Sequence, residues 1–391
     1  MQLRPHQEQA VKAMLRNTKG QIIVPTGGGK TMCMIDDAMN EFSRSYMGQT
    51  IVVVAPRILL ANQLSAEFLE FIDNAEVLHV HSGETRHYST TEASRISVWS
   101  AKNCAFNQII FTTYHSLHRI QESGIHVDTI YFDEAHNSVQ KNFYQSTEYF
   151  SFNADRCYFF TATPKHSRTP SKAGMNWTKT YGQVICQVPA PKLVNQGYIL
   201  PPKVEVYKTR ILEKDDLVAD RDSAQMIDAI DNLKKNKVLI CAKSTKQIVN
   251  LVSHTKFVSE LAWRGYSYML ITSKTGAIID GEKVTREEFF DVLNAWGQDP
   301  DKRFVVLHHS ILSEGMNVKG LEAVLFMRSM DYIGISQTIG RVIRKGAKDK
   351  VFGLVCIPVY SKVGISTATK VEAVVDTIFN KGEAATTVIT R

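Results

Sequence analysis

Gln21-Ile22-Ile23-Val24-Pro25-Thr26-Gly27-Gly28-Gly29-Lys30-Thr31 decides how this chain is read, because an apolar run passes straight into three glycines, a lysine and a hydroxyl. Gln21 to Val24 predicts a short buried strand and Met32 to about Phe42 the helix it feeds, so the glycines sit at a strand-to-helix turn. Glycine takes positive φ freely and lets the main chain approach a polyphosphate closely, while the helix N-terminus adds a favourable dipole. Lys30 is then suited to reach the β- and γ-phosphates, and the Thr31 hydroxyl to ligate Mg²⁺. One departure stands out: Val24 occupies the place where the strict GxxxxGK[ST] pattern has glycine. A glycine-rich turn with a surface lysine is the alternative left open by these residues alone.

Outward from this turn, apolar runs alternate with helical segments. Thr50 to Pro56, Val77 to Val80, Gln108 to Thr113, Thr129 to Phe132 and Cys157 to Thr161 read as strands, with a helix from Leu59 to Phe71 and another within Thr90–Lys102. That is the pattern of a parallel, doubly wound sheet. The second half repeats it, with strands at Lys237–Cys241, Ser267–Thr272, Arg303–His308, Ala323–Met327 and Val351–Val359, and helices at Lys246–Trp263 and Thr285–Trp296. The expected fold class is therefore α/β, in two successive domains at residues 1–190 and 191–391. Residues 184–203, with prolines at 189, 191, 201 and 202, read as their connection. Between Asp155 and Glu205 every charged residue is basic, starting with Arg156, and a solvated face is the simpler reading than a DNA-facing one.

Composition sets limits rather than choosing a function. Apolar residues at 44% and charged residues at 22% argue against a disordered or fibrous chain. A net charge of +7 favours a polyanionic partner but is ordinary for enzymes. The six cysteines are scattered without a CxxC pair, which speaks against a zinc site or a disulfide framework. With no apolar run of about 18 residues and a polar N-terminus, no membrane partner is expected, and a cytoplasmic location follows, host cytoplasm if the chain is phage-encoded.

Asp133-Glu134-Ala135-His136 directly follows the Thr129–Phe132 strand, where open α/β sheets bind ligands. Asp133 is suited to share the Mg²⁺ with Thr31, and Glu134 to orient and deprotonate the attacking water. In Gln337-Thr338-Ile339-Gly340-Arg341-Val342-Ile343-Arg344 the two arginines are three apart and share a helix face. Such a pair is either a solvated face or the source of positive charge that phosphoryl transfer needs.

Taken in order, these segments resemble the motifs of the superfamily 2 helicases from about residue 3 to residue 346. Arg4 to Gln7 is similar to the Q-motif, in which Gln7 would read adenine and Arg4 would stack on it. Residues 25–31, including Thr26, Gly27, Gly28 and Gly29, match motif I; Ala55-Pro56-Arg57 resembles motif Ia and Thr112-Thr113-Tyr114-His115-Ser116 motif Ib. Asp133 to His136 looks like motif II, and Thr161-Ala162-Thr163-Pro164 like motif III, which couples ATP state to nucleic-acid grip; His136, Thr161 and Thr163 would carry that coupling. Gly315 and Asn317 fall in a motif V-like segment, where Asn317 replaces the aspartate of many members, and Gln337, Arg341 and Arg344 in a motif VI-like one, the arginines acting as fingers.

The resemblance implies two tandem RecA-like domains, ATP and Mg²⁺ as cofactors, and a nucleic-acid-dependent ATPase. Grip on the strand would run through Pro56, Arg57, Thr113, Tyr114, Ser244 and Thr245, although Tyr114 also suits an internal position. The DEAH tetrapeptide, TATP and QxxGRxxR point away from DEAD-box RNA helicases. The short stretch after Arg344 points away from DEAH-box RNA helicases with long accessory domains. The chain most resembles the DNA-directed group that includes type III restriction motors, XPB-like proteins and phage helicases such as UvsW. The implied function is an ATP-dependent DNA helicase or translocase acting on single-stranded, forked or branched DNA, with branch migration in recombination as one form, as a monomer or an unassigned oligomer. An RNA helicase and an ATP-gated nucleic-acid clamp are the alternatives.

Overall fold

The computed structural model describes residues 2–45, 47–208, 217–272, 274–309, 320–327, 332–343, 353–359 and 365–389. In chain order its elements begin α1 (Pro5–Arg16), β1 (Lys19–Ile23), α2 (Lys30–Arg44), β2 (Thr50–Ala55), α3 (Ile58–Leu69), β3 (Ala75–Val80), α4 (Ala93–Lys102) and β4 (Asn107–Thr113). Next come α5 (Leu117–Ser123), β5 (Thr129–Phe132), α6 (Lys141–Asn153), β6 (Arg156–Thr161), β7 (Lys165–Ser167), α7 (Thr178–Tyr181), β8 (Val184–Gln187), α8 (Ala190–Asn195) and β9 (Pro202–Lys208). They continue with α9 (Val218–Leu233), β10 (Lys237–Cys241), α10 (Thr245–Ser253), α11 (Phe257–Trp263), β11 (Ser267–Thr272), β12 (Gly276–Ile279), β13 (Glu282–Val284) and α12 (Arg286–Gln298). The last are β14 (Phe304–His308), β15 (Ala323–Phe326), α13 (Tyr332–Val342), β16 (Gly353–Val359), α14 (Ile365–Val375) and β17 (Thr387–Ile389).

The chain divides into one unit of Met1–Pro189 with Ala384–Arg391, and a second of Ala190–Glu383. A single cut at residue 190 would give everything after it to the second unit; the chain instead returns its last segment to the first.

In the first unit seven parallel strands lie in the order β3-β4-β2-β5-β6-β1-β8. Helices on both faces bury the central strands, which is why β2 reads as an unbroken apolar run rather than an alternating one. Register sets the core contacts. Tyr131 lies opposite Tyr158 and Phe132 opposite Phe159, and Phe132 stacks on Phe159 with centroids 4.9 Å apart. Because β6 lies between β5 and β1, the loops leaving all three strands emerge side by side at one edge of the sheet.

The second unit holds an eight-stranded sheet, β13-β12-β11-β14-β10-β15-β16-β9, parallel except for the β11-β12-β13 edge. Asp280 and Gly281 both take positive φ, 45° and 94°, and turn the β12–β13 hairpin. That Asp-Gly pair is the sequence signal for a hairpin that the apolar pattern misses.

Two expectations change. Residues 184–203 are not simply a connection: β8 adds an edge strand beside β1, and β9 begins at Pro202 on the edge of the second sheet. Edge strands tolerate proline and carry little apolar alternation, so both escape a hydrophobicity reading. The helix expected over Lys246–Trp263 breaks after Ser253. Thr255 Oγ1 donates to the Leu251 carbonyl and accepts from the Phe257 amide, which offers the backbone an alternative to the helical ladder.

Candidate nucleotide site

Val24 continues the line of β1 by donating its amide to the Thr161 carbonyl at 3.1 Å, and the chain then turns through Pro25 to Gly29 into α2. Gly27 and Gly29 take positive φ, 86° and 79°. The positive φ favours glycine at position 29, and a Cβ there would also displace the Gln7 amide that sits against it. The loop is held from behind by α1. His6 Nε2 donates to the Gly28 carbonyl at 2.7 Å, and the Gln7 amide donates to the Gly29 carbonyl at 3.2 Å while its oxygen accepts the Arg4 amide at 2.8 Å. Gln7 is buried and its amide is spent on the loop, so here it supports the cradle. His6 escapes the motif comparison, which singles out only Arg4 and Gln7; its burial on the inner face of α1 is the structural reason it matters.

At the end of β5, Asp133 stays on the sheet, with its amide donating to the Val54 carbonyl at 2.9 Å. Glu134 then adopts a left-handed conformation, φ 45°. A non-glycine residue pays for that geometry, and such strain gathers at functional sites. The turn places the Glu134 carboxylate 3.2 Å from Lys30 Nζ, with both side chains nearly buried. Burial pushes the Asp133 carboxyl well up from the usual carboxylate range; the neighbouring Glu134 adds to the shift and Lys30 opposes it.

His136 joins this carboxylate loop to the next one. Asn137 fixes its own amide by donating to the Glu134 carbonyl at 3.0 Å and donates also to His136 Nε2 at 3.4 Å, which leaves the ring proton on Nδ1. Nδ1 lies 3.0 Å from Thr161 Oγ1 and 3.3 Å from Thr163 Oγ1, and 3.6 Å from Glu134 Oε2. Thr161 Oγ1 in turn accepts the Thr163 amide at 3.0 Å. The three loops thus form one connected polar assembly.

Two features fit a polyphosphate with Mg²⁺. Thr26 Oγ1 is buried in the glycine loop and has no hydrogen-bond partner among the described residues. Thr31 and Asp133 supply hard oxygen donors of the kind Mg²⁺ takes.

The expected nucleic-acid contacts divide. Arg57 is exposed just ahead of α3 and Ser244 caps α10, its Oγ accepting from the Gln247 amide at 3.2 Å, with Thr245 beside it. Pro56 and Thr113 are buried. Tyr114 is a correction: it lies in the apolar core with its hydroxyl donated to the Asp133 carbonyl at 2.8 Å, so its ring offers no face to a base. Gln337 is buried in α13; of Arg341 only the backbone, in the same helix, is described. Gly315, Asn317 and Arg344 lie outside the described residues.

Arg156, expected on a solvated basic face, is instead nearly buried. It pairs with Asp37 at 2.8 Å and Glu41 at 2.9 Å, both on α2. Tyr131 also donates to Asp37, at 2.7 Å. These contacts moor the helix that begins at Lys30 to β6 and β5.

Residues 1–166 match the family model of the type III restriction enzyme res subunit. A DEAD-box ATP-dependent RNA helicase of Arabidopsis thaliana, number 46, is 24% identical over 360 residues, which cover 88% of this chain and 49% of the relative. Among solved structures, the ATP-dependent Type ISP restriction-modification enzyme LlaBIII bound to DNA superposes with a TM-score of 0.76 at 17% identity, over 100% of this chain and 31% of that one. Dbp5 of S. cerevisiae bound to RNA and ADP BeF3 gives 0.60 at 14% identity, over 99% of this chain and 89% of that one. The chain spans about half the length of the curated relative and about a third of the Type ISP enzyme. These solved structures share the fold of this chain, an α/β architecture of two tandem RecA-like domains.

Proposed function

We propose that this chain is an ATP-dependent DNA helicase or translocase of the DEAH-bearing, restriction-motor-like group. The observation that carries the nucleotide part is the convergence of Lys30 and Glu134 at 3.2 Å across β6, beside the buried Thr26 hydroxyl. Thr26 to Thr31 would hold the phosphates, and Thr31 with Asp133 would hold Mg²⁺, which supplies charge neutralisation when bound. Glu134 orients and deprotonates the attacking water, and its pairing with Lys30 gives phosphate and carboxylate a common cation to compete for. Arg341 and Arg344 are assigned to the charge that develops on the transferred phosphoryl group, with Gln337 beside them in sequence. Arg4 is assigned to the adenine, Gly315 and Asn317 to the ribose side, and Arg57, Ser244 and Thr245 to the strand's phosphates. His136, Thr161 and Thr163 couple the two functions. Residues 1–190 and 191–391 are proposed as the two motor domains, except that the segment from Ala384 returns to the first.

DNA is preferred as the track because the matched family and the Type ISP enzyme bound to DNA are restriction motors. The RNA reading draws on two other similarities, the Arabidopsis RNA helicase and Dbp5 bound to RNA. ATP turnover measured with single-stranded, forked and branched DNA and with RNA separates them. Stimulation by DNA well above RNA supports the proposal, and the reverse order replaces it with the RNA reading. A branched substrate turned over faster than a simple tail would favour branch migration. Retention of ATP binding without any turnover would favour the clamp.

A further inference from the structure

The segment after Glu383 rejoins the first unit at a telling place. β17 pairs in parallel with β7, Thr387 opposite Lys165, Val388 opposite His166 and Ile389 opposite Ser167. The Thr387 amide donates to the Pro164 carbonyl at 3.1 Å, and the Arg168 amide to the Ile389 carbonyl at 2.9 Å. Ile389 packs against the core cluster of the first unit, and Ala385 is buried. Pro164 is the residue directly after Thr163, whose hydroxyl and amide are part of the His136–Thr161 assembly. The two-stranded sheet therefore grips the peptide that leaves the coupling loop, with a strand whose preceding residues belong to the second unit.

We propose that residues 384–389 are a positioning strap for the Thr161–Pro164 loop, so that the second unit is connected to that loop through the chain as well as through the crossing at Pro189. The functional half of this inference rests on the ATPase reading above; the structural half does not. In a parallel ladder alternate residues turn both backbone groups to the neighbouring strand. Thr387 and Ile389 face β7, and Val388, 39% exposed, turns its amide away. Proline removes an amide donor and is tolerated where that donor faces out. Thr387→Pro should therefore release the strap, and Val388→Pro should not.

The first readout is amide hydrogen exchange over residues 161–168 in the full chain. The expected result for Thr387→Pro is a gain of at least tenfold in exchange at Arg168 that extends back to Thr163, with the β2 and β5 amides unchanged; Val388→Pro should match the parent. Unchanged exchange at Thr163 in Thr387→Pro, or an equal change in both variants, would overturn the strap. The second readout is nucleic-acid-stimulated against basal ATP turnover. A three- to tenfold fall in the stimulated kcat of Thr387→Pro, with the KM for ATP and the basal rate within twofold, supports positioning. Equal stimulation in all three chains overturns that role. A parent chain with no ATP turnover at all would count against the proposed function, and the exchange result would still decide the strap.

Discussion

Replacing Arg156 by methionine tests how the helix of the glycine loop is anchored. Asp37 is 0% exposed, and its carboxylate has two strong partners, the Arg156 guanidinium at 2.8 Å and the Tyr131 hydroxyl at 2.7 Å. Removing the guanidinium leaves an uncompensated charge in the core, leaves Glu41 with only its longer pairing to Arg44 at 3.6 Å, and takes away the cation over the Tyr158 ring, 5.0 Å from its centroid. Breaking a buried pair from one side costs about 3–5 kcal/mol, a large part of the roughly 5–15 kcal/mol that holds a domain together. Neutralising the orphan should recover much of it: Asp37→Asn on top of Arg156→Met keeps an acceptor for Tyr131 and is expected to regain about 2 kcal/mol.

The same variant has a pH signature. Burial raises the Asp37 carboxyl above its ordinary value, with Arg156 opposing the shift. A carboxyl raised on folding contributes fully below its unfolded pKa and loses that contribution as pH rises through the folded one. Without Arg156 the rise is larger, so the deficit of Arg156→Met should shrink as the medium is acidified. Urea unfolding read through exchange protection of the β5 and β6 amides, at neutral and acid pH, measures both effects. A destabilisation under about 1 kcal/mol at neutral pH, or a deficit that grows with acid, would refute the reasoning.

Other perturbations probe separate links. Gly29→Ala meets both positive φ and the Gln7 amide, so it should cost about 1–3 kcal/mol and weaken ATP binding by more than tenfold; calorimetric binding unchanged from the parent would contradict the cradle. His79 is buried, with Nε2 donating to Ser65 Oγ and Nδ1 accepting from His81, each at 3.0 Å. Burial, with His81 and His87 nearby, pulls it down to about 3. The unfolded chain therefore takes up this proton first as pH falls, and stability is lost between about 6.5 and 3 at up to roughly 1.4 kcal/mol per unit. His79→Leu should flatten that slope in acid-unfolding titrations, whatever it does at neutral pH, and an unaltered slope would sink the assignment.

What the sequence carried and what it did not follows from physics. The glycine loop, Asp133–Glu134 and the Thr161–Thr163 segment were legible because each sits at the buried end of a strand, where an apolar run stops abruptly at polar residues. Their adjacency was expected from the chemistry of a shared Mg²⁺, but the geometry behind it, β6 lying between β5 and β1, is stated by no local pattern. Arg156 looked like one more solvated cation because a one-dimensional reading cannot see Asp37 and Glu41, more than a hundred residues earlier. Tyr114 suited a base by chemistry; its hydroxyl found the Asp133 carbonyl instead. The strand within the strap, β17, is three residues long, and so short a strand declares itself only through its partner.

The most direct test of the central claim is ATP turnover by Glu134→Gln, measured beside nucleotide affinity with and without nucleic acid. The account predicts that affinity stays within a few fold of the parent while stimulated turnover falls by at least about a hundredfold, since an amide keeps the shape at Lys30 but cannot take a proton from water. Turnover in Glu134→Gln close to that of the parent would contradict it.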